Sequence, residues 1–184
     1  MRAWILLGVA VSLLAPGSTL AQGSRYGGYW GSLGVGVGQR IISESSETEW
    51  ATGGTFYVRM GATVSDRFLV GAEVELWSKD ENQVMTTRTN ATLNGIFFPS
   101  PILGLFVKGG VGGAIVRAAD VSSLPSSSSV WRYGMAATLG VGYDIPVGEA
   151  LSLTPNLDFM YQWLNDFDVS DAAFISLTIG VTWH

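Results

Sequence analysis

The segment from Leu151 to Trp163 alternates between apolar and polar residues almost without a break. The odd-numbered positions are all apolar, and Met160 is the single apolar residue at an even-numbered position. Because side chains of a β-strand point alternately to opposite faces, this pattern predicts a strand with one apolar and one polar face. Its length exceeds the ~5–6 residues common in soluble proteins and suits the ~9–11 residues that cross a bilayer at a tilt. We therefore predict a membrane-crossing strand.

The same alternation recurs along the chain and predicts eight strands. Their predicted ranges are 28–40, 50–64, 68–78, 84–98, 102–117, 130–143, 150–164 and 172–183. Short turns are predicted at 65–67, 99–101 and 146–149, and mostly longer connections rich in Ser, Glu and Asp at 41–49, 79–83, 118–129 and 165–171. Such asymmetry is typical of outer-membrane barrels, whose short turns face the periplasm. The predicted fold class is all-β: an eight-stranded antiparallel transmembrane up-and-down β-barrel.

The N-terminus predicts export. Met1 and Arg2 give a short positive start, an apolar run follows from Ala3 to Leu14, and small residues precede position 22. The run is too short to span a bilayer as a helix, which disfavours the alternative of a retained anchor. We predict a signal peptide at 1–21 that is cleaved after Ala21, a barrel domain at 22–184, and a location in the outer membrane of a Gram-negative cell.

Composition excludes several classes of function. Charged residues make up 14% of the chain, compared with ~25% in ordinary soluble domains. The chain has no cysteine, so disulfides and thiol chemistry are excluded. A net charge of -5 argues against a nucleic-acid partner. No motif indicates a cofactor.

Aromatic residues cluster near the predicted strand ends. Amphipathic rings prefer the water–lipid boundary, where an apolar body and a polar group are both satisfied. The predicted outer girdle comprises Trp50, Trp131, Tyr133, Tyr161 and Trp163, and the predicted periplasmic girdle comprises Tyr29, Phe97, Tyr143 and Trp183. Trp77 falls on the inward face and does not fit this pattern.

The inward faces carry most of the charges of the strands. The predicted lumen network comprises Arg59, Glu73, Glu75, Arg88, Lys108, Arg132 and Asp158. An eight-stranded barrel has an interior just wide enough to be filled by side chains, and buried charges must be paired. We expect Glu73 and Glu75 between Arg59 and Arg88, and Asp158 near Lys108. Such a network favours a structural plug, with a gate or proton path as the alternative. Inward glycines leave room for these long side chains.

Catalytic and metal chemistry have little support in the sequence. The one histidine is His184, at the predicted periplasmic end, and no Cys is present to replace a Ser nucleophile. Glu73 and Glu75 are two residues apart on one face, but nearby Arg residues indicate ion pairing rather than a raised pKa, and we predict that the protein is not an enzyme. Asp166, Asp168 and Asp171 have the alternating oxygens of a calcium loop. The segment lacks the turn Gly and the distal Glu of a calcium loop, so we expect a solvated acidic loop.

Three segments of the chain resemble the small outer-membrane β-barrel family, which includes the OmpA transmembrane domain and OmpX. They are the run from Gly140 to Pro146, the segment from Leu151 to Pro155 and the closing strand. The resemblance implies insertion by the barrel-assembly machinery with the last strand as a signal. Family members often end in Phe or Trp, whereas here His184 follows Trp183.

We expect a monomeric barrel with a structural or surface-interaction role, surrounded by outer-membrane lipids and lipopolysaccharide. The first alternative is a narrow pore or transporter for small or apolar solutes, as in OmpW-like relatives. The second is a soluble β-sandwich or lipocalin-like binder, which also alternates. That fold would have to bury the girdle tryptophans and expose the inward charges.

Overall fold

The computed structural model describes residues 28–44, 47–81, 84–100, 102–120, 129–164 and 171–184. The predicted signal peptide lies outside the described residues. Eight long strands are present: β1 (Tyr29–Glu44), β2 (Glu47–Ser65), β3 (Phe68–Glu81), β4 (Val84–Phe97), β5 (Leu105–Asp120), β6 (Ser129–Tyr143), β7 (Leu151–Leu164) and β8 (Ala172–Trp183). A two-residue segment, Ile145–Pro146, pairs with the start of β7. None of the described residues forms a helix long and apolar enough to span a membrane.

The strands form one closed antiparallel sheet. Each strand pairs with its neighbours in the chain, β1 pairs with β8, and β6 pairs with β7. The register of the closing pair places Gly31 opposite Trp183 and Ile41 opposite Ala173. The predicted eight-stranded antiparallel up-and-down barrel is confirmed.

The two ends of the barrel differ. We call the end with the turn at Asp66–Arg67 and the connections 98–104 and 144–150 the turn end, and the opposite end the loop end. Two connections predicted at the loop end are shorter than expected. Residues predicted at 41–49 and 79–83 continue as strand, so that only 45–46 and 82–83 lie between the strands. The backbone ladder continues there although the apolar alternation has ended, because backbone pairing needs no apolar side chain.

The polarity of the barrel is inverted relative to a soluble fold. Val35, Leu139 and Leu177 on the outward face are 57%, 64% and 59% exposed. Arg59 and Lys108 on the inward face are 2% and 1% exposed. The two-residue side-chain period of the strands therefore places apolar residues outside and charged residues inside, and the lumen is where the polar chemistry lies.

Candidate functional site

The buried inward side chains lie in three layers along the lumen. An apolar layer at the turn end consists of Trp30, Leu69, Ile96, Phe98 and Phe106. A second apolar layer towards the loop end consists of Ala51, Trp77, Met160, Ala172 and Phe174. Buried charged and polar residues occupy the space between the two. Most of the predicted lumen residues lie in the middle layer, whereas neither apolar layer was predicted from the sequence.

Four charges of alternating sign form the centre of the middle layer. Both carboxylate oxygens of Glu73 accept hydrogen bonds from the Lys108 ammonium, at 2.9 and 2.8 Å, and Arg59 Nε donates to Glu73 Oε2. Asp158 Oδ2 lies 3.2 Å from both Arg59 Nη2 and Lys108 Nζ. We call Arg59, Glu73, Lys108 and Asp158 the four-charge network. The expected proximity of Asp158 to Lys108 is observed.

Neutral groups complete the coordination of Arg59. Its guanidinium carbon lies 3.9 Å from the centroid of the Tyr57 ring, and Nη1 donates to Asn156 Oδ1 at 3.1 Å. Asn156 Nδ2 in turn donates to the Tyr57 hydroxyl at 3.0 Å. Arg59 thus has two carboxylates, an amide and an aromatic face as partners, which offsets the cost of removing its charge from water.

The expected pairing of Glu75 with Arg88 does not occur. Glu75 Oε1 accepts a hydrogen bond from Ser176 Oγ at 3.1 Å, whereas Arg88 Nη1 donates to Gln162 Oε1 at 2.9 Å. The register explains the difference. Arg88 lies opposite Trp77, which is two residues nearer the loop end along β3 than Glu75. Arg88 therefore reaches the loop-end apolar layer, and its guanidinium lies 5.7 Å from the Phe174 ring.

Arg132 also stays out of the four-charge network. It is half-buried near the loop end, where Nη1 donates to the backbone oxygen of Trp131 at 3.2 Å. Arg40, which was not among the predicted lumen residues, forms an ion pair with Glu49 at 2.9 Å and lies 5.6 Å from the Trp77 ring. Two further basic groups thus occupy the loop-end half of the barrel.

Inward glycines make room for the middle layer, as predicted. A Cβ atom on Gly140 would lie 2.9 Å from Cε of Lys108, and one on Gly34 would lie 2.7 Å from Cζ of the Tyr57 ring. Real Cβ contacts of this length are essentially never seen, so the large inward side chains require glycine on the neighbouring strands.

The predicted girdle residues lie on the outward face near the strand ends. At the loop end Trp50, Trp131, Tyr133 and Trp163 are exposed, and the Tyr161 ring packs 4.8 Å from that of Trp163. At the turn end Tyr29, Phe97 and Tyr143 are exposed and Trp183 is partly exposed. Trp30 and Trp77, by contrast, are 4% and 2% exposed and belong to the two apolar layers.

The candidate calcium residues are only partly described. Asp166 and Asp168 lie outside the described residues. Asp171 accepts hydrogen bonds from the backbone nitrogen of Leu164 at 3.0 Å and from the Tyr161 hydroxyl at 3.3 Å. No group of three or more possible metal ligands occurs in the part of the chain that the structure describes.

The one histidine lies at the turn end of the lumen. His184 Nε2 lies 3.5 Å from Asp144 Oδ2, and Asp144 Oδ1 accepts a hydrogen bond from Thr154 Oγ1 at 2.7 Å. The cavity beside these residues has a volume of about 10 Å³. That is the space of about one water molecule.

Comparison with known proteins supports the fold and goes no further. No protein-family model matches the chain, and no curated protein matches its sequence. Neisserial surface protein A has a TM-score of 0.63 at 14% identity, over 84% of this chain and 96% of that one. Ail, the attachment invasion locus protein of Yersinia pestis, has a TM-score of 0.61 at 14% identity, over 85% and 99%. The same protein bound to the heparin analogue sucrose octasulfate has a TM-score of 0.60 at 14% identity, over 85% and 99%.

Proposed function

We propose that this chain is an outer-membrane β-barrel of a Gram-negative cell, formed by residues 22–184 after removal of a signal peptide. The inverted polarity carries the proposal: apolar side chains cover the outside of the closed sheet, while Glu73 and Lys108 are buried inside it. In water the outward face would expose far more contiguous apolar surface than soluble monomers tolerate. In a bilayer that surface contacts acyl chains, and the aromatic residues at the strand ends meet the headgroups.

The lumen in this proposal is a structural plug. The four-charge network pairs two positive with two negative side chains, and an apolar layer lies on each side of it. A permeating ion would have to displace both apolar layers and compete with ion pairs that are already buried, which is costly. The proposed role is therefore structural or surface-interacting, without catalysis and without transport through the barrel.

The loop end is the proposed surface for external partners. The segments 41–49 and 165–171 at this end carry acidic residues and no basic ones. Ail has been crystallised with a sulfated heparin analogue. A strongly anionic ligand of that kind is a poor match for these segments, and a basic surface or divalent cations bridging to lipopolysaccharide phosphates fit their charge better. The other proposed partners are the barrel-assembly machinery and the lipids of the outer membrane. The proposed oligomeric state is a monomer.

We expect the protein to remain in the membrane fraction after an alkaline carbonate wash and to leave it only in detergent. In dodecyl sulfate gels the unheated protein should migrate faster than the boiled protein, because a closed barrel stays compact until it is heated. A periplasmic soluble protein from the same cells serves as the control. Release by the wash without detergent, together with unchanged migration on boiling, would exclude a membrane barrel.

A further inference from the structure

A groove runs along the outward surface of β4, β5 and β6. Its volume is about 280 Å³, and Thr89, Ile115 and Tyr133 form its walls. Ala91 and Gly113 lie opposite each other at its floor. Because neither has a bulky side chain, they leave a depression in a face that elsewhere carries Val, Leu and Phe. Under the proposed function, this groove faces the hydrocarbon of the membrane.

A basic side chain stands at the loop-end margin of the groove. Arg117 is exposed on the outward face, two residues beyond Ile115, and its guanidinium lies 5.3 Å from the ring of Trp131. In the register it lies directly opposite both Thr87 and Trp131. Among the described strand residues, Arg117 is the one basic side chain on the outward face. Arg59, Lys108 and the other strand arginines and lysines point inward.

The position of Arg117 indicates what surrounds it. A charge on the lipid face of a barrel costs ~2–4 kcal/mol at the bilayer midplane and ~0–1 kcal/mol near the interface. Arg117 lies level with the exposed ring of Trp131, which places it at the headgroup level of the outer leaflet. A guanidinium at that level is matched by phosphate, which it can bind through two parallel hydrogen bonds.

We propose that Arg117 and the groove form a binding site for one phosphorylated, acylated glycolipid of the outer leaflet. The phosphate binds the guanidinium of Arg117, and one acyl chain lies over Ala91 and Gly113. An unfilled depression would deprive its walls of dispersion contacts, which a bound chain restores. Transfer of a chain from bulk lipid into the groove has little hydrophobic driving force. Selectivity therefore comes from the phosphate contact. This inference rests on the proposed membrane location.

The site is tested by native mass spectrometry of the intact barrel released from nanodiscs. The discs contain phosphatidylcholine with a small fraction of either diphosphorylated lipid A, dephosphorylated lipid A or phosphatidylglycerol. The expected result is one retained molecule of diphosphorylated lipid A and about tenfold less of the dephosphorylated form. Phosphatidylglycerol should also be retained less, because its diester phosphate carries one negative charge and a monoester phosphate of lipid A carries more. Equal retention of phosphatidylglycerol would overturn the assignment to the glycolipid, and equal retention of the dephosphorylated form would overturn the phosphate contact.

Two variants separate the headgroup contact from the groove. Arg117→Gln should lower retention of diphosphorylated lipid A about tenfold, and Gly113→Leu, which fills the floor, should lower it severalfold. Arg67→Gln at the turn end and Gly109→Leu, at an outward glycine that does not line the groove, are the matched controls. If Arg117→Gln retains as much diphosphorylated lipid A as the controls, the proposed site is wrong. If Arg117→Gln loses retention but Gly113→Leu does not, the acyl groove is wrong. Heat-modifiable migration of each variant reports insertion separately, so a failure of the proposed membrane location is distinguishable from a failure of this site.

Discussion

Replacing Glu73 with alanine should lower the free energy of unfolding of the barrel by about 3–5 kcal/mol, since this change leaves buried charge without its partner. Glu73 is the carboxylate shared by Arg59 and Lys108, and in its absence Asp158 is the one remaining acid of the four-charge network. Urea titration in lipid vesicles, followed by tryptophan fluorescence, measures the change. Glu149→Ala, in an exposed turn, is the matched control and should be within ~0.5 kcal/mol of the unsubstituted protein.

A second substitution distinguishes charge imbalance from loss of packing. Adding Lys108→Met to Glu73→Ala leaves Arg59 and Asp158 as a balanced pair. The double variant should then regain part of the lost stability, since both members of one buried ion pair have been removed. Additive losses in the double variant, or a loss below ~1 kcal/mol in Glu73→Ala alone, would contradict the role assigned to the network.

Trp77→Ala should destabilise the barrel by about 3–5 kcal/mol, the range for truncating a large buried aromatic residue. Trp77 is 2% exposed, packs edge-on against Phe174 with ring centroids 5.7 Å apart, and donates from Nε1 to the backbone oxygen of Gly38 at 2.9 Å. The substitution leaves a cavity in the loop-end apolar layer and removes the partner of a buried carbonyl. The same urea titration measures the loss.

Trp163→Ala is the matched control for Trp77→Ala. Trp163 is 46% exposed on the outward face, where lipid can fill the space left by the ring. Its removal should therefore cost clearly less than that of Trp77. Equal losses in the two variants would mean that Trp77 does not fill the lumen as described.

The strands were predictable from the sequence and the pairing inside the barrel was not. Alternation with period two is a local signal, so a strand such as β7 is apparent from its own residues. The contact between Arg59 and Asp158 joins residues 99 positions apart on strands that are not neighbours in the barrel. It depends on the register of every strand between them, which no local pattern specifies. Thus Glu73 was placed beside Arg59 correctly, while Arg88 was paired with the wrong residue.

Some residues of the two apolar layers interrupt the alternation of apolar and polar positions in the sequence. Met160 interrupts an otherwise regular strand, and Trp77 falls in the inward phase; both belong to the loop-end layer. Trp30, the second residue of β1, lies inside the turn-end layer although it is near a strand end. An apolar residue on the polar face of a barrel strand thus predicts packing within the lumen. Phase along the strand distinguishes it from a girdle residue better than nearness to a strand end does.

The electrical conductance of the unsubstituted protein in planar lipid bilayers tests most directly whether the lumen is filled. Insertion is verified by heat-modifiable migration of protein recovered from the same vesicle preparation, and a wide porin serves as the positive control. With the four-charge network enclosed between two apolar layers, we predict no current steps above the lipid background in molar potassium chloride. Recurrent steps of uniform size from the unsubstituted barrel would contradict this account and establish an open path through the lumen.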